Sequence, residues 1–304
     1  MITAFDHAVV AVGDLAAATR QMETLLGRPA SWRGVHPEAG TANALFRLEN
    51  CYLELLSPDG EGPLGAAIAA ALSARGDGLL ALAFATDDVV AAAARLRERG
   101  VPVGDPQPGE GRGAPGNDAC AAEEVRRWSS LMLPPEAARG IPTLVLEHQS
   151  APELLPFTEP AGAEESAVFA LDHAVVVSDD PGASSRFYDE VLGLRRALDR
   201  DFPKRGVRLI FFRVAGVTVE VAGPIEPRRG GDGRDHFGGL CYRVRDADAI
   251  RVRLVAAGLD VSEVRDGHKP GTRVCTVRGD PCGVPTLLLE AAAVGGLPHP
   301  AGQR

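Results

Sequence analysis

The sequence predicts an α+β protein built from four β-α-β-β-β modules that pair into two domains. The first observation behind this prediction is an internal duplication. FDHAVVAV at 5–12 recurs as LDHAVVVS at 171–178, and this offset of 166 holds without a gap for about fifty residues. The second is a weaker repeat that relates 84–103 to 242–261. The third is that every repeat begins with an apolar strand, an Asp and a helical pattern that ends near a Gly. The four modules therefore start near residues 4, 79, 170 and 237.

The first module shows each element in order. Alternating residues over His7–Val12 predict a strand, and Asp14 follows where a helix N-cap is expected. An apolar stripe with helical spacing comes next, and Gly27 lies where a left-handed C-terminal residue is favoured. Two short strands follow at 44–48 and 51–55, and the tight turn between them predicts a hairpin. The third module repeats these elements, with strands predicted at 208–214 and 217–221.

Composition along the chain predicts the domain boundaries. The stretch 149–168 is acidic and Pro-rich, which is typical of a linker. We therefore expect a domain at 1–150 and a domain at 169–292, with a linker at 151–168 and a flexible tail at 293–304. An extra helix predicted at 64–75 and a Gly/Pro-rich loop predicted at 104–124 belong to the first half only, and either would roof it.

Charge and cysteine content limit the partners. The net charge is −9 and no dense Lys/Arg cluster is present, which excludes nucleic acid as the expected partner. No apolar run reaches 18 residues, so no membrane span is expected, and the first residues do not resemble a signal peptide. Five cysteines at scattered positions indicate reduced, structural thiols in the cytoplasm. The expected partner is a small molecule, and the expected state is a monomer or a homodimer.

Two histidine–glutamate pairs are the strongest candidates for chemistry. His7 and Glu54 are 47 residues apart, and so are His173 and Glu220. Each glutamate lies in an otherwise apolar strand, where an unpaired carboxylate is costly. Such a residue is expected to bind a metal, to transfer a proton, or to pair with a cation. The cations available for that last alternative are the arginines that both copies share, Arg47 and Arg213.

A β-α-β-β-β unit that opens with DHAVV and closes on LEL resembles the vicinal-oxygen-chelate superfamily over residues 5–147 and 171–290. This superfamily includes glyoxalase I, methylmalonyl-CoA epimerase, extradiol dioxygenases and bleomycin-binding resistance proteins, and its glyoxalase-like branches are the most similar. The resemblance implies two glyoxalase-like domains with cup-shaped mixed sheets, each holding a divalent metal ion. The donors suit zinc, nickel, manganese or iron. The ligands that the resemblance implies are His7, Glu54, Glu147, His173, Glu220 and Glu290.

The sequence departs from the family pattern at the second ligand pair. The first-strand ligand position falls on Ala81 in module two and on Gly239 in module four, and neither can coordinate a metal. The last-strand position is Glu147 and Glu290 when the strands are aligned on their acids. Aligned on the preceding Gly and Pro, it becomes Leu144 and Leu287, which reverses the strand face. Each site therefore keeps two or three of the four family ligands.

Three function classes fit these residues. The first is a metal-dependent lyase or isomerase that stabilises an enediolate, with Glu54 or Glu220 as general base. The alternative is a metal-free module that binds or sequesters a small molecule, and an extradiol dioxygenase is placed third because it needs a second histidine. The second domain is expected to be the more open site. Its loop at 225–236 offers cations for an anionic substrate: Arg228, Arg229 and Arg234.

Overall fold

Two eight-stranded mixed sheets form the framework of the protein in a computed structural model that describes residues 2–114, 124–228, 230 and 232–291. The strands of the first sheet are β1 (Ile2–Ala11), β2 (Trp32–His36), β3 (Thr41–Arg47), β4 (Tyr52–Pro58), β5 (Gly78–Thr86), β6 (Gln107–Gly113), β7 (Val125–Met132) and β8 (Thr143–His148). The strands of the second sheet are β9 (Val168–Val177), β10 (Arg195–Phe202), β11 (Val207–Val214), β12 (Val217–Pro224), β13 (His236–Val244), β14 (Arg265–Asp266), β15 (Arg273–Val277) and β16 (Thr286–Glu290).

The helices complete four modules of the predicted kind, so the α+β fold class is confirmed. The helices are α1 (Leu15–Leu26), α2 (Pro63–Arg75), α3 (Val89–Glu98), α4 (Pro181–Arg186, continued by a π-helical turn over Phe187–Val191) and α5 (Ala247–Ala256). Asp14 accepts a hydrogen bond from the Ala17 backbone N–H, and Gly27 is left-handed with φ of 72°, as the sequence predicts. Between modules one and two lies α2, which confirms the extra helix.

The two sheets differ in closure. In the first sheet β2 pairs with β6, which closes the eight strands into a barrel rather than the cup that the resemblance implies. In the second sheet β10 and β14 remain edge strands, so this sheet stays an open cup. Within each sheet the first strands of its two modules pair antiparallel, β1 with β5 and β9 with β13. Modules therefore pair within one chain.

The main apolar core lies on the helix-covered faces of the sheets and contains side chains from both. Phe84 of the first sheet and Val176 and Phe212 of the second belong to this one cluster. Because α1 lies against β9 and against the turn that precedes β16, the helical layers of the two halves are shared. The opposite faces of the two sheets, of which the first also packs against α2, are consequently where a site can form.

The Gly/Pro-rich stretch 104–124 is only partly the loop that the sequence predicts. Residues Gln107–Gly113 form β6, and residues 115–123 lie outside the described part of the chain. A Cβ at Gly109 would lie 2.3 Å from the indole of Trp128, so glycine is needed there for close packing of neighbouring strands. The prediction of a loop, which depended on glycine content alone, is therefore wrong for Gln107–Gly113.

The segment predicted as a linker packs against the first sheet. Leu155 is buried with Trp32 and Tyr52, and the Arg28 guanidinium donates to the Thr158 carbonyl oxygen. Residues 292–304, which contain the predicted tail, lie outside the described residues. No helix in the described ranges is long and apolar enough to cross a membrane.

Gly239 occupies a position that accepts no side chain. Its φ is +135°, and a Cβ would lie 2.3 Å from the Pro285 carbonyl oxygen. Gly239→Ala is therefore expected to lower the free energy of unfolding by about 3 kcal/mol. The control is Gly258→Ala, since Gly258 also has positive φ but has open space around it, and it should cost about 1 kcal/mol. Urea denaturation measures both, and equal losses would contradict the packing argument.

Candidate functional site

The structure brings each predicted histidine–glutamate pair together on the face of its sheet that is opposite the main core. His7 Nε2 lies 3.3 Å from Glu54 Oε2 in the first sheet, and His173 Nε2 lies 3.6 Å from Glu220 Oε2 in the second. The arrangement follows from parallel pairing of the first and last strands of one module, β1 with β4 and β9 with β12. Arg47 and Arg213 form no ion pair with these glutamates, so the predicted alternative partners do not apply.

An aspartate before each histidine joins the pair, and sequence analysis missed it. His7 Nδ1 lies 2.6 Å from Asp6 Oδ2, and His173 Nδ1 lies 2.8 Å from Asp172 Oδ2. Strict alternation would place these neighbours on opposite faces. A β-bulge prevents this, because Phe5 and His7 pair with consecutive residues of β5 and leave Asp6 as the extra residue.

The same bulge occurs in the second sheet. Leu171 pairs with Tyr242 and His173 with Cys241, which leaves Asp172 unpaired in the ladder. Each aspartate thus fixes the orientation of a histidine and leaves Nε2 directed to the glutamate. The recurrence of Asp-His at the offset of 166 was the available signal in the sequence.

Glu147 and Glu290 are not part of either cluster. Glu147 Oε2 accepts a hydrogen bond from the Val89 backbone N–H at the start of α3, and Glu290 Oε2 accepts one from Ala247 at the start of α5. Both carboxylates therefore lie on the helix-covered face, where they stabilise helix N-termini. Leu144 instead packs with Val9 and Ala81 on the opposite face of the sheet. The alignment on Gly and Pro gives the correct facing, and the expectation that these two glutamates are ligands is corrected.

The cluster in the first sheet is closed, and its glutamate is held by two neighbouring side chains. Asn43 donates a hydrogen bond to Glu54 Oε1 over 2.8 Å, and the ring of Tyr52 stacks on His7 at 4.4 Å. His7 is only 5% exposed. Next to the cluster, Ile68 of α2 packs into the barrel against its apolar residues Val9, Ala11, Leu56 and Ala81. Asn43 and His7 already hold the Glu54 carboxylate, and no metal-compatible group of donor atoms is found around His7 among the described residues, so this cluster does not fit a metal ion.

Charges in this first cluster stabilise one another. Burial alone would lower the pKa of His7, but its hydrogen bonds to Asp6 and Glu54 outweigh burial and raise the pKa to about 9. Burial likewise opposes ionisation of Glu54, yet the hydrogen bond from His7 holds the pKa of Glu54 below its usual range. The first cluster is therefore a buried ion pair with structural character.

This ion pair predicts a pH dependence of stability. His7 has a pKa of about 9 in the folded chain, against an ordinary value of 6.5, so its contribution to stability is complete below about pH 6.5 and is lost as pH rises through about 9. The urea midpoint should fall between about pH 6.5 and about pH 9.5. In His7→Gln the fall should be smaller over the same window. An identical fall in both proteins would show that His7 carries no such linkage.

The cluster in the second sheet is more open and carries a thiol. Donor atoms of Asp172, His173 and Cys241 lie within 4.8 Å of one another, the one such metal-compatible group found among the described residues. Arg243 donates to Asp172 Oδ1 over 2.7 Å. Glu220 accepts no hydrogen bond from any residue that the structure describes, in contrast to Glu54. Imidazole, thiolate and carboxylate together fit a borderline divalent ion such as zinc or iron.

The pKa shifts of the glutamates also differ between the two clusters. Burial raises the pKa of Glu220 above its usual range, although the charge of His173 opposes this. Burial disfavours the charged form of His173, but the hydrogen bond to Asp172 dominates and raises its pKa to about 10. Burial also raises the pKa of the Cys241 thiol. Glu220 is thus the less satisfied carboxylate, which suits a group that takes and returns a proton.

The two described arginines of the loop at 225–236 have their contacts away from this cluster. Arg228 pairs with Asp179 over 3.3 Å. Arg234 lies close to Gly140 of the first half, and Arg229 lies outside the described residues. The prediction that these arginines meet the substrate is not supported for the two that the structure describes.

Comparisons with known proteins agree with the fold. Residues 5–192 match the family described as Glyoxalase-like domain. Residues 170–286 match the Glyoxalase/Bleomycin resistance protein/Dioxygenase superfamily. The chain is similar to an ethylmalonyl-CoA/methylmalonyl-CoA epimerase of Cereibacter sphaeroides, with 34% identity over 113 residues that cover 36% of this chain and 82% of that protein.

Two solved structures resemble almost the whole chain. A mutant 4-hydroxymandelate synthase from Streptomyces coelicolor superposes with a TM-score of 0.67 at 16% identity, covering 96% of this chain and 94% of that one. A hypothetical protein from Staphylococcus aureus superposes with a TM-score of 0.60 at 12% identity, covering 93% and 98%. At these identities the likeness concerns the fold, and it confirms the tandem arrangement.

Proposed function

The chain belongs to the glyoxalase-like family of the vicinal-oxygen-chelate superfamily, and from this premise we propose that its second domain is a metal-dependent isomerase or lyase site for a small oxygenated molecule. The observation that carries the proposal is the cluster of Asp172, His173, Cys241 and Glu220 on the open, helix-free face of the second sheet. The similarity to an epimerase also supports the proposal, because an epimerase inverts the configuration at a carbon atom and proton transfer is one way to do so.

In this proposal one set of residues binds the metal ion and Glu220 transfers the proton. Asp172, His173 and Cys241 would hold the ion. A divalent ion bound there supplies Lewis-acid stabilisation of negative charge on a substrate oxygen. Glu220 takes a proton from a carbon next to a carbonyl group, the electron pair moves into the carbonyl, and Glu220 returns the proton to the same or the neighbouring carbon. Arg243 holds Asp172 in place through its 2.7 Å hydrogen bond.

The other two function classes are less well supported by the geometry. A dioxygenase site needs a second histidine, and the position assigned to it, Gly239, accepts no side chain. A metal-free binding module would not need the donor group around His173. The domain boundaries at 1–150 and 169–292, location in the cytoplasm, and a monomeric or homodimeric state stay predictions of the sequence.

Proton exchange in deuterated water tests the proposal. The substrates are a panel of α-hydroxy ketones and 2-methyl-branched thioesters, followed by NMR with the protein as purified, after chelation, and after return of zinc, nickel, manganese or iron. Deuterium should enter at the carbon next to the carbonyl, stop after chelation and resume with metal. Binding of a panel member without exchange under all three conditions would favour the binding module instead.

A further inference from the structure

Two turns of the second domain meet across the open sheet. One turn, 203–206, joins β10 to β11, and the other, 267–272, joins β14 to β15. Although β10 and β14 are the edge strands of the sheet, Arg205 NH1 lies 2.7 Å from His268 Nε2. The sheet is therefore curled until its two edges approach each other at these turns. We call the four side chains there, Lys204, Arg205, His268 and Lys269, the rim.

The rim is positively charged in an acidic protein. Lys204 and Lys269 are the only two lysines in the whole sequence, whose net charge is −9, and neither turn contains a carboxylate. The flanking acids Asp201 and Asp266 lie directly across the ladder from Arg208 and Arg273. Neither lysine forms an ion pair with a residue that the structure describes. The charge of the rim is thus available to an anion from outside.

The rim and the cluster around Glu220 belong to one cup. Both lie on the second sheet, where the paired strands β11 and β12 connect them. Glu220 pairs with Phe211 of β11, and the rim turn ends where β11 begins at Val207. Four residues of strand correspond to about 13 Å. The half-buried apolar side chains of Leu209 and Ala222, which pair with each other across β11 and β12, lie along this distance.

We propose that the rim binds the phosphate group of an elongated substrate whose reacting end lies at Glu220. A carboxylate needs one cation, whereas two lysines and an arginine without acidic partners match the two charges and several oxygens of a phosphate ester or diphosphate. The apolar wall accommodates the chain that joins the two ends. The proposal rests on the proposed function only for which end of the substrate reacts.

Calorimetric titration with inorganic pyrophosphate tests the rim without any turnover. Lys204→Ala combined with Lys269→Ala should weaken binding about tenfold, equal to about 1.4 kcal/mol, because two exposed cations that would contact the anion are lost. The matched control is Arg20→Ala combined with Arg186→Ala, which removes two exposed cations elsewhere and should leave the affinity unchanged. Binding should also weaken as salt is raised.

Three outcomes would contradict the proposal that the rim binds phosphate. They are no pyrophosphate binding by the wild-type chain at low salt, equal pyrophosphate affinity in the wild type and in the double lysine variant (the rim variant), or tighter binding of a short oligonucleotide than of pyrophosphate. Proton exchange on unphosphorylated compounds separates this proposal from the previous one. That exchange should survive in the rim variant, while Glu220→Gln should lose exchange and still bind pyrophosphate.

Discussion

Glu220→Gln is expected to slow proton exchange by about 10²–10⁴-fold, since an amide keeps the shape of the side chain but cannot act as a base. Glu220 lies 3.6 Å from His173 Nε2 and accepts no hydrogen bond within the described ranges, so its carboxylate is available to a substrate. The rate of deuterium incorporation measures the effect, and the binding affinity for an unreactive substrate analogue should change little.

Glu54→Gln is the matched control for this result. Glu54 has the same place in the first sheet, but Asn43 and His7 occupy its oxygens and α2 closes the barrel beside it. We expect exchange to proceed at the wild-type rate in this variant, together with a lower free energy of unfolding because the ion pair with His7 is lost. Loss of exchange in Glu54→Gln with full activity in Glu220→Gln would assign the chemistry to the first domain.

Arg139→Met is expected to lower the free energy of unfolding by about 3–5 kcal/mol, because it leaves a buried carboxylate without its cation. Arg139 comes from the first half of the chain and lies 3.3 Å from Asp235 of the second, whose side chain is 1% exposed. Ser184 also donates a hydrogen bond to Asp235. Urea denaturation measures the loss, which should be the largest among single changes at the contact between the two halves.

The double change Arg139→Met with Asp235→Leu tests whether the unpaired carboxylate of Asp235 causes the loss of stability. Replacing both charged groups by apolar ones removes the stranded carboxylate, so stability should recover relative to Arg139→Met. A double variant that is less stable than Arg139→Met would mean that packing around Arg139, rather than the buried charge of Asp235, is responsible.

Much of the fold follows from the sequence because duplication repeats each local signal. Asp14 and Gly27 bound α1 as predicted, and the spacing of 47 residues between histidine and glutamate survives in the parallel pairing of β1 with β4 and β9 with β12. These features depend on local periodicity and capping, so they can be predicted without tertiary information. The closure of the first sheet cannot be predicted in this way, since it depends on the pairing of the distant strands β2 and β6.

The remaining parts of the site depend on contacts between distant strands. Asp172 reaches His173 only because a bulge interrupts alternation, and Cys241 lies beside His173 only because β9 pairs with β13 in that register. The sequence shows a cysteine at 241 with no motif around it, which is why it is interpreted as structural. Glu147 and Glu290 show the converse case, where an acid in the expected strand faces a helix N-terminus instead.

Metal content tests the central claim that the second domain alone holds the ion. The chain should be purified without chelator or affinity tag and analysed by inductively coupled plasma mass spectrometry. We expect one divalent ion per chain, retained in His7→Gln and lost in both His173→Gln and Cys241→Ser, because His173 and Cys241 belong to the donor group. An ion that is lost in His7→Gln and retained in His173→Gln would place the metal in the first domain instead.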